Sequence, residues 1–256
     1  MLTMQRARRL ASIVVVATFA VGGLGACGFQ PEVAARVGGG ETVGEDRVQE
    51  IWDVSHATIV DKAPAASASS SASSAAEPVR VPYTRGDLVR AIVSRELYGR
   101  LAAEKGVTLP AGVPYDEAGA QFGLPGTDEF VRLYTENAVL QNALTKAVTS
   151  PAQPTDDEIR DVFDRIGAHG GIQPGTDFAA FSSALSPEDK TALSAALSVR
   201  RDVLALADKL DVEVSPRYQP LELGLLGVSN QSTGQSYSVV AATLGEDLRV
   251  PVADVS

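Results

Sequence analysis

The stretch DEFVRLYTENAVLQNALTKAV (residues 128–148) decides the fold class of this chain. Within it, Phe130, Leu133, Leu140 and Leu144 recur at the spacing that places them on one side of an α-helix. A helix with one apolar face has to bury that face against other elements. Two prolines follow closely and end the helix, because proline cannot continue it. The stretch therefore predicts a long amphipathic helix in a packed helical domain.

Further helices are predicted from the same periodicity and from their start signals. Thr84 with Asp87 and Thr155 with Glu158 have the spacing of a capping box, in which each side chain bonds a backbone amide at the helix start. Ser186 precedes a proline in the first turn, which is another typical start. The predicted helices cover residues 45–60, 84–105, 115–123, 155–166 and 186–210. Together these signals indicate a mainly α fold.

Two short valine-containing segments, residues 33–37 and 212–215, alternate in the manner of β-strands. They lie far apart in the sequence, and helices flank each of them. An isolated short strand leaves its backbone hydrogen-bonding groups unpaired. We therefore predict that the two segments form a small strand pair, which joins the N- and C-terminal ends of one domain over residues 33–218.

Two other segments lack the side chains from which a core is built. Residues 63–76 are all Ala, Ser or Pro, so they cannot offset the entropy lost on ordering. They are predicted to form a disordered loop inserted between helices. Residues 219–256 are rich in Gly, Ser and Gln and show no sustained period, which predicts a mostly irregular, mobile C-terminal tail.

The N-terminus has the anatomy of an export signal. Arg6, Arg8 and Arg9 form a basic region, and the uncharged, largely apolar residues 10–26 follow. This segment is shorter than the roughly 20 residues that span a bilayer, and it ends in small residues. Residues 1–26 are therefore predicted to be a signal peptide.

The signal ends in Leu24-Gly25-Ala26-Cys27, which holds the only cysteine of the chain. This motif resembles a bacterial lipobox, in which the cysteine is acylated, for example with palmitate, and becomes the first residue. The alternatives are an ordinary signal peptide or a short anchor helix, each with an incidental cysteine. We favour lipid attachment at Cys27, a lipidated linker over residues 27–32, and a location on the extracytoplasmic face of the cell membrane.

The charge balance narrows the classes of partner. The 256 residues include 22 Lys and Arg against 32 Asp and Glu, which gives a formal net charge of −10. An acidic surface disfavours nucleic acid and anionic lipid, so the acyl chain has to supply the attachment to the membrane. Once Cys27 is acylated, no thiol remains for a disulfide or for a thiolate metal site.

Candidates for catalysis or metal binding are few. Neither His56 nor His169 has a nearby Ser or Asp in a recognisable motif, so solvated or hydrogen-bonded histidines are favoured over a general base. The acidic group within residues 156–164 lacks the looped calcium pattern and suits a helix N-terminus. Asn137 either holds a peptide backbone in a groove or, as we favour, bonds within the fold. The sequence predicts no enzyme, no cofactor and no metal.

The order of the elements resembles that of a known family. An anchored start, AARVGGGETV (residues 34–43), an amphipathic helix, several more helices and VSPRY (residues 214–218) follow one another along the chain. This order resembles the N-terminal chaperone domain of SurA and PrsA. The chain is more similar still to the actinobacterial lipoproteins built on that domain, and the resemblance covers roughly residues 31–218.

The opening of the domain carries the residue-level match. Val37, Gly39, Gly40 and Val43 correspond to the strand, turn and apolar residue with which the family begins, with one extra glycine. Gly44 stands where the family usually has a hydroxyl that caps the first helix. Glycine is a poorer cap than serine or threonine by a few tenths of a kcal/mol.

The resemblance implies a helical domain that cradles extended, non-native polypeptide in an apolar concavity beside residues 84–105 and 128–148. Relatives often carry a parvulin-type prolyl isomerase domain before the last helix, but residues 167–185 are too short to hold one. We therefore expect a membrane-anchored, chaperone-like protein whose partners are unfolded or extended polypeptides. The alternative is a structural or adaptor lipoprotein that docks one envelope partner.

Overall fold

The computed structural model of the chain describes residues 30–67, 81–229 and 236–245. The predicted signal peptide (residues 1–26), with its lipobox Leu24-Gly25-Ala26, and the predicted lipid attachment site Cys27 lie outside these residues. Within the described ranges, no helix is both long enough and apolar enough to cross a membrane.

The fold is mainly helical, as the sequence predicts. The helices are α1 (Glu45–Ser67), α2 (Arg85–Glu104), α3 (Tyr115–Phe122), α4 (Glu129–Ala147), α5 (Asp156–Ala168), α6 (Phe178–Ala184) and α7 (Pro187–Lys209). Capping boxes open α2, α5 and α7, because in each case the cap hydroxyl and the third helical side chain bond each other's backbone amides. Helix α6 was not predicted, because its seven residues are too few to establish a helical period.

The first helix is longer than predicted. Residues 63–76 were expected to form a disordered loop, but α1 continues to Ser67, so the expectation is wrong for residues 63–67. Alanine has the highest helix propensity of all residues, and several alanines follow the last turn that the apolar pattern defines. Because this extension adds no large apolar side chain, the periodicity of α1 could not reveal it.

The two ends of the helical domain meet in a small sheet, as predicted. Its strands are β1 (Val33–Arg36), β2 (Thr42–Gly44) and β3 (Glu213–Val214), in the order β2-β1-β3. The antiparallel pairing of Ala35 with Val214 confirms the predicted strand pair. Strand β2, which was not predicted, pairs antiparallel with the other side of β1.

The start of α1 explains how the chain manages without a capping hydroxyl at Gly44. The amide of Glu45 donates a 2.8 Å hydrogen bond to the carbonyl of Glu32, so one amide at the helix start is paired by backbone. A Cβ at Gly44 would come too close only to the terminal Oδ1 of Asp46, which that side chain can relieve by rotating. The backbone bond to Glu32, and not the absence of a side chain at Gly44, therefore supports the start of α1.

Residues 219–256 were predicted to form a mostly irregular tail, and this prediction is wrong for residues 221–229 and 236–244. Strands β4 (Leu221–Ser229) and β5 (Ser236–Leu244) form an antiparallel hairpin. In β4, Leu221, Leu223 and Leu225 alternate and are buried, which is the pattern of a half-buried strand. The interspersed Gly and Ser residues hid this pattern, because small residues lower strand propensity.

The hydrophobic core lies around α2. Leu88, Val89, Val93 and Leu97 of this helix are fully buried, and α2 contacts α1, α4, α7 and β4. Helix α7 packs against α2, α4 and both strands of the hairpin, which accounts for its broad apolar surface. Trp52 of α1 is partly buried at the core's edge, with the Arg85 guanidinium 4.9 Å from its ring centroid.

Candidate binding groove

A groove of about 480 Å³ lies between α2, α4 and the outer half of the β4–β5 hairpin. It is lined by aromatic rings at one side and by small and polar residues of the hairpin at the other, among them Gly224, Gly227, Ser236, Tyr237 and Ser238. Residues 84–105 and 128–148, which were predicted to flank a concavity, supply the α2 and α4 sides. The hairpin side was not predicted.

The aromatic wall consists of Tyr83, Phe122, Phe130 and Tyr134. Tyr83 and Phe130 stack with ring centroids 3.6 Å apart and an angle of 12° between the rings. Phe122 meets Tyr134 edge to face at 5.0 Å. Tyr134 is 45% exposed, so its ring is the part of this wall most open to a ligand. The wall is therefore a continuous apolar block with one accessible ring.

A buried polar contact fixes the base of the aromatic wall. The Ser55 hydroxyl donates a 2.8 Å hydrogen bond to Oδ2 of Asp128, whose Oδ1 accepts from the amides of Phe130 and Val131 at the start of α4. Burial raises the pKa of the neighbouring Tyr83 phenol to about 12, so this hydroxyl stays protonated. The contact joins α1 to α4 at the point where Phe130 enters the wall.

Side chains from α2 and α4 hold the hairpin wall in place. The Tyr98 hydroxyl donates a 2.9 Å hydrogen bond to the Gly224 carbonyl, and Nε2 of Gln141 donates to the Leu225 carbonyl. Burial raises the pKa of Tyr98, so its hydroxyl remains a donor. A Cβ at Gly224 would lie 2.4 Å from the Ser238 hydroxyl, so glycine lets the two strands present a smooth face.

The groove carries little net charge. Its two ionic side chains, Asp87 and Arg90, form an ion pair of 2.6 Å, and Asp87 also accepts from the amide of Thr84. The remaining lining residues are uncharged. In a chain of net charge −10, this makes the groove a nearly neutral surface suited to uncharged or apolar chain.

Asn137 lies between the two walls. Its Nδ2 donates a 2.8 Å hydrogen bond to the Ala91 carbonyl, which confirms the predicted partner within the fold. Its Oδ1 is buried and has no hydrogen-bond partner among the described residues. An acceptor buried without a partner costs free energy, so this oxygen works against the stability of the fold.

The two histidines lie in different places. His56 is exposed on α1, whereas the ring of His169, just after α5, stacks on Tyr237 of the groove at 4.1 Å and 19°. A Cβ at Gly171 would lie 2.6 Å from the Tyr237 hydroxyl, so the glycine-rich segment after α5 is shaped by packing against the hairpin. His169 therefore supports a wall of the groove.

The acidic group of α5 is occupied by arginines. Glu158 bonds Arg201 at 2.7 Å, while Asp161 bonds Arg200 at 3.1 Å and Arg165 at 3.2 Å. Burial works against the charged form of Glu158, but the Thr155 amide and Arg201 outweigh it and lower its pKa. Among the described residues, no group of three or more His, Cys, Asp or Glu side chains could hold a metal ion.

Arg165 also bonds Glu222 of β4 at 3.0 Å, so the same charged cluster attaches α5 to the hairpin. The cluster has a structural role, since the carboxylates of Glu158, Asp161 and Glu222 each bond an arginine. It lies outside the groove and stabilises the element that forms the groove's second wall.

Sequence reasoning missed most of the groove. Its aromatic wall combines residues from the approach to α2, from α3 and from α4, which no single periodic pattern connects. The alternation of Leu221, Leu223 and Leu225 was the available signal for the hairpin wall. No family model matches the chain, and comparisons with curated proteins and with solved structures find no match either.

Proposed function

We propose that this protein is a lipid-anchored, extracytoplasmic, chaperone-like protein that binds extended or unfolded polypeptide in the groove between α2, α4 and the hairpin. The observation that carries the proposal is the pairing of an aromatic wall with a nearly uncharged hydrogen-bonding wall. Such a surface suits a segment of chain with apolar side chains and an exposed backbone.

The lining favours binding with little selectivity for side chains. Aromatic rings contribute contact area to any apolar or proline side chain, whereas a lining hydroxyl such as that of Ser238 can hydrogen-bond the backbone of any residue. A volume of about 480 Å³ holds a few side chains and not a folded domain. Affinity should then be in the micromolar range, or about −8 kcal/mol, because the client loses conformational entropy on binding.

The anchoring part of the proposal depends on the sequence at Leu24-Gly25-Ala26-Cys27. An acyl chain on Cys27 would hold an acidic protein at a membrane that its surface charge does not attract. The groove would then meet polypeptides as they emerge outside the cytoplasmic membrane. The proposal includes no catalytic step, and His56 and His169 take no part in it.

Aggregation of denatured clients tests the proposal. Three unrelated denatured enzymes are diluted into buffer without ATP, and light scattering is followed with increasing amounts of the protein. We expect protection by the wild type and weaker protection by Tyr134→Ala, which removes the most exposed ring of the groove. Val54→Ala is the matched control, since Val54 is 58% exposed on α1 and does not line the groove.

A prolyl isomerase assay on a proline tetrapeptide is run in parallel, and no acceleration is expected. Absence of protection for all three clients at excess protein would remove the chaperone proposal. Equal protection by Tyr134→Ala and wild type would show that clients bind at a surface other than the groove.

The Asp87–Arg90 ion pair favours a second candidate, an adaptor that docks one partner. The ion pair places one positive and one negative group in the groove lining. A partner segment of defined sequence could place complementary charges against them. Crosslinking from membranes separates the two functions, because an adaptor recovers one partner stoichiometrically and a chaperone recovers many.

A further inference from the structure

We propose that the C-terminal segment of this chain, residues 246–256, binds in the groove and competes with other polypeptides for it. The inference rests on the proposed function in one respect, since it assigns the same groove a ligand of the same class, an extended chain. It adds an occupant, which is the chain's own sequence EDLRVPVADVS.

The position of the last described residue makes the groove accessible to this segment. Strand β5 ends at Leu244, and a Cβ at Gly245 would lie 2.5 Å from Cγ of Gln219. The preceding Tyr218 reaches within 4.0 Å of a Cβ at Gly86, and the next residue of α2, Asp87, lines the groove. The start of the segment is therefore connected to a groove-lining residue through a short series of contacts.

The length of the segment exceeds this separation. Fully extended, residues 246–256 span about 36 Å, at roughly 3.3 Å per residue. Gly245 contacts Gln219, whose neighbour Tyr218 contacts Gly86, and Gly86 precedes Asp87. The path to the groove therefore consists of two contacts and two peptide steps. Those steps lie within the reach of the whole segment, and its apolar residues 248–252 can extend about 10–23 Å beyond Gly245.

The sequence of the segment fits an apolar groove. Leu248, Val250 and Val252 alternate with other residues, so in an extended chain they lie on one side. Pro251 fixes its own φ angle and restricts Val250 to extended conformations. An extended, partly preorganised segment loses less conformational entropy on binding, and proline packs well on aromatic rings.

The charges of the two partners are also compatible. Residues 248–253 carry a single charge, that of Arg249, and the groove presents a single carboxylate, that of Asp87. Asp87 already bonds Arg90 and Thr84, and a carboxylate offers about four acceptor positions, so it can accept a further donor. The acidic residues of the segment lie outside its apolar stretch.

A tethered ligand competes strongly even when its intrinsic affinity is weak. A short flexible connection gives an effective concentration in the millimolar range. If the free segment binds with a dissociation constant of about 0.1 mM, the tethered segment lowers the apparent affinity of a competing ligand about tenfold.

Photocrosslinking tests the occupant directly in the full-length protein, reconstituted in phospholipid nanodiscs. A benzophenone side chain is placed at Tyr134, and at Val54 as the exposed control outside the groove. We expect a crosslink within one chain from position 134 to residues 246–256, and none from position 54. The absence of that crosslink, or a crosslink between two chains, would overturn the proposal.

A binding measurement with a labelled peptide of residues 246–256 gives the energetic test. The double substitution Val250→Asp and Val252→Asp in the full-length protein should release the groove, so the labelled peptide binds about tenfold more tightly than to wild type. The matched control is Ala253→Asp with Val255→Asp, which adds the same charge on the opposite side of the extended segment. Equal effects of the two pairs, or no binding of the peptide, would overturn the proposal.

The outcome is separable from that of the chaperone proposal. Protection of denatured clients together with no peptide binding removes the intramolecular ligand and leaves the proposed function. If Tyr134→Ala weakens peptide binding but the protein does not protect clients, the intramolecular ligand is supported. The chaperone function is then removed.

Discussion

The Tyr98 hydroxyl lies 2.9 Å from the Gly224 carbonyl and joins the central helix α2 to the outer edge of the hairpin. This bond lies where the hairpin leaves the core and begins to form a wall of the groove. Tyr98 is 2% exposed and Gly224 is partly buried, so the hydroxyl of the bond is shielded from water. The stability of the fold and the shape of the groove therefore depend on the same contact.

Tyr98→Phe should destabilise the protein by about 0.5–1.5 kcal/mol, because the Gly224 carbonyl loses its donor while the ring packing is kept. Tyr134→Phe is the control, since its ring is 45% exposed and it removes the same kind of hydroxyl. Urea unfolding followed by circular dichroism measures both. Equal stabilities of the two variants would show that the bond to Gly224 contributes nothing.

The closure of the domain by Ala35 and Val214 gives a second prediction. Val214 is 2% exposed and pairs with β1, so Val214→Ala should cost about 1–3 kcal/mol through lost burial and the cavity left behind. Val212→Ala, at a partly buried position just before β3, should cost less. Thermal unfolding compares the two, and a larger loss at Val212 would contradict the role of the pairing. Truncation before Asp211 should destabilise the whole domain.

The parts of the fold that sequence could predict are those with local signals. The capping boxes at Thr84 and Thr155 are formed by residues three positions apart, and both are present in the structure. The pairing of β1 with β3 was also predictable, although the two are far apart, because each strand was short and needed a partner. For these elements, local side-chain chemistry and the need to pair backbone groups were enough to predict the structure.

The parts that sequence could not predict depend on tertiary contacts. Gly224 and Ser238 look like residues of a flexible tail, yet both lie in paired strands of the hairpin and line the groove. The ring of Tyr83 stacks on Phe130, which comes from a distant helix, so no window of sequence connects the two. The groove was therefore predicted on its helical side alone.

Stability in acid should depend on Glu158. Its pKa is lowered in the folded state from the usual 4.5, since the Thr155 amide and Arg201 favour the carboxylate. A lowered folded pKa contributes stability that is fully present above the unfolded value and is lost as the pH falls through the folded value. At pH 7, Glu158→Gln should cost about 2 kcal/mol, the typical loss for hydrogen bonds to a charged group.

This loss should begin to shrink near pH 4.5, where Glu158 of the unfolded chain takes up a proton. It should vanish as the pH falls through the lower folded pKa, where the folded protein takes up the proton as well. Asp164→Asn is the control, because Asp164 is exposed on the same helix. Urea unfolding at several pH values gives the two differences. A loss for Glu158→Gln that stays constant down to pH 3 would mean that the carboxylate charge is not what stabilises α5 against α7.

Membrane attachment depends on Cys27 in the proposed function, and Cys27→Ala tests it. The variant should either keep its signal peptide or be released into the medium, since the acidic remainder of the chain is not drawn to anionic lipid. Fractionation with mass spectrometry of the N-terminus separates these outcomes, and Gly28→Ala is the neighbouring control that should stay anchored. A processed Cys27→Ala protein that still sediments with membranes would show that another feature attaches it.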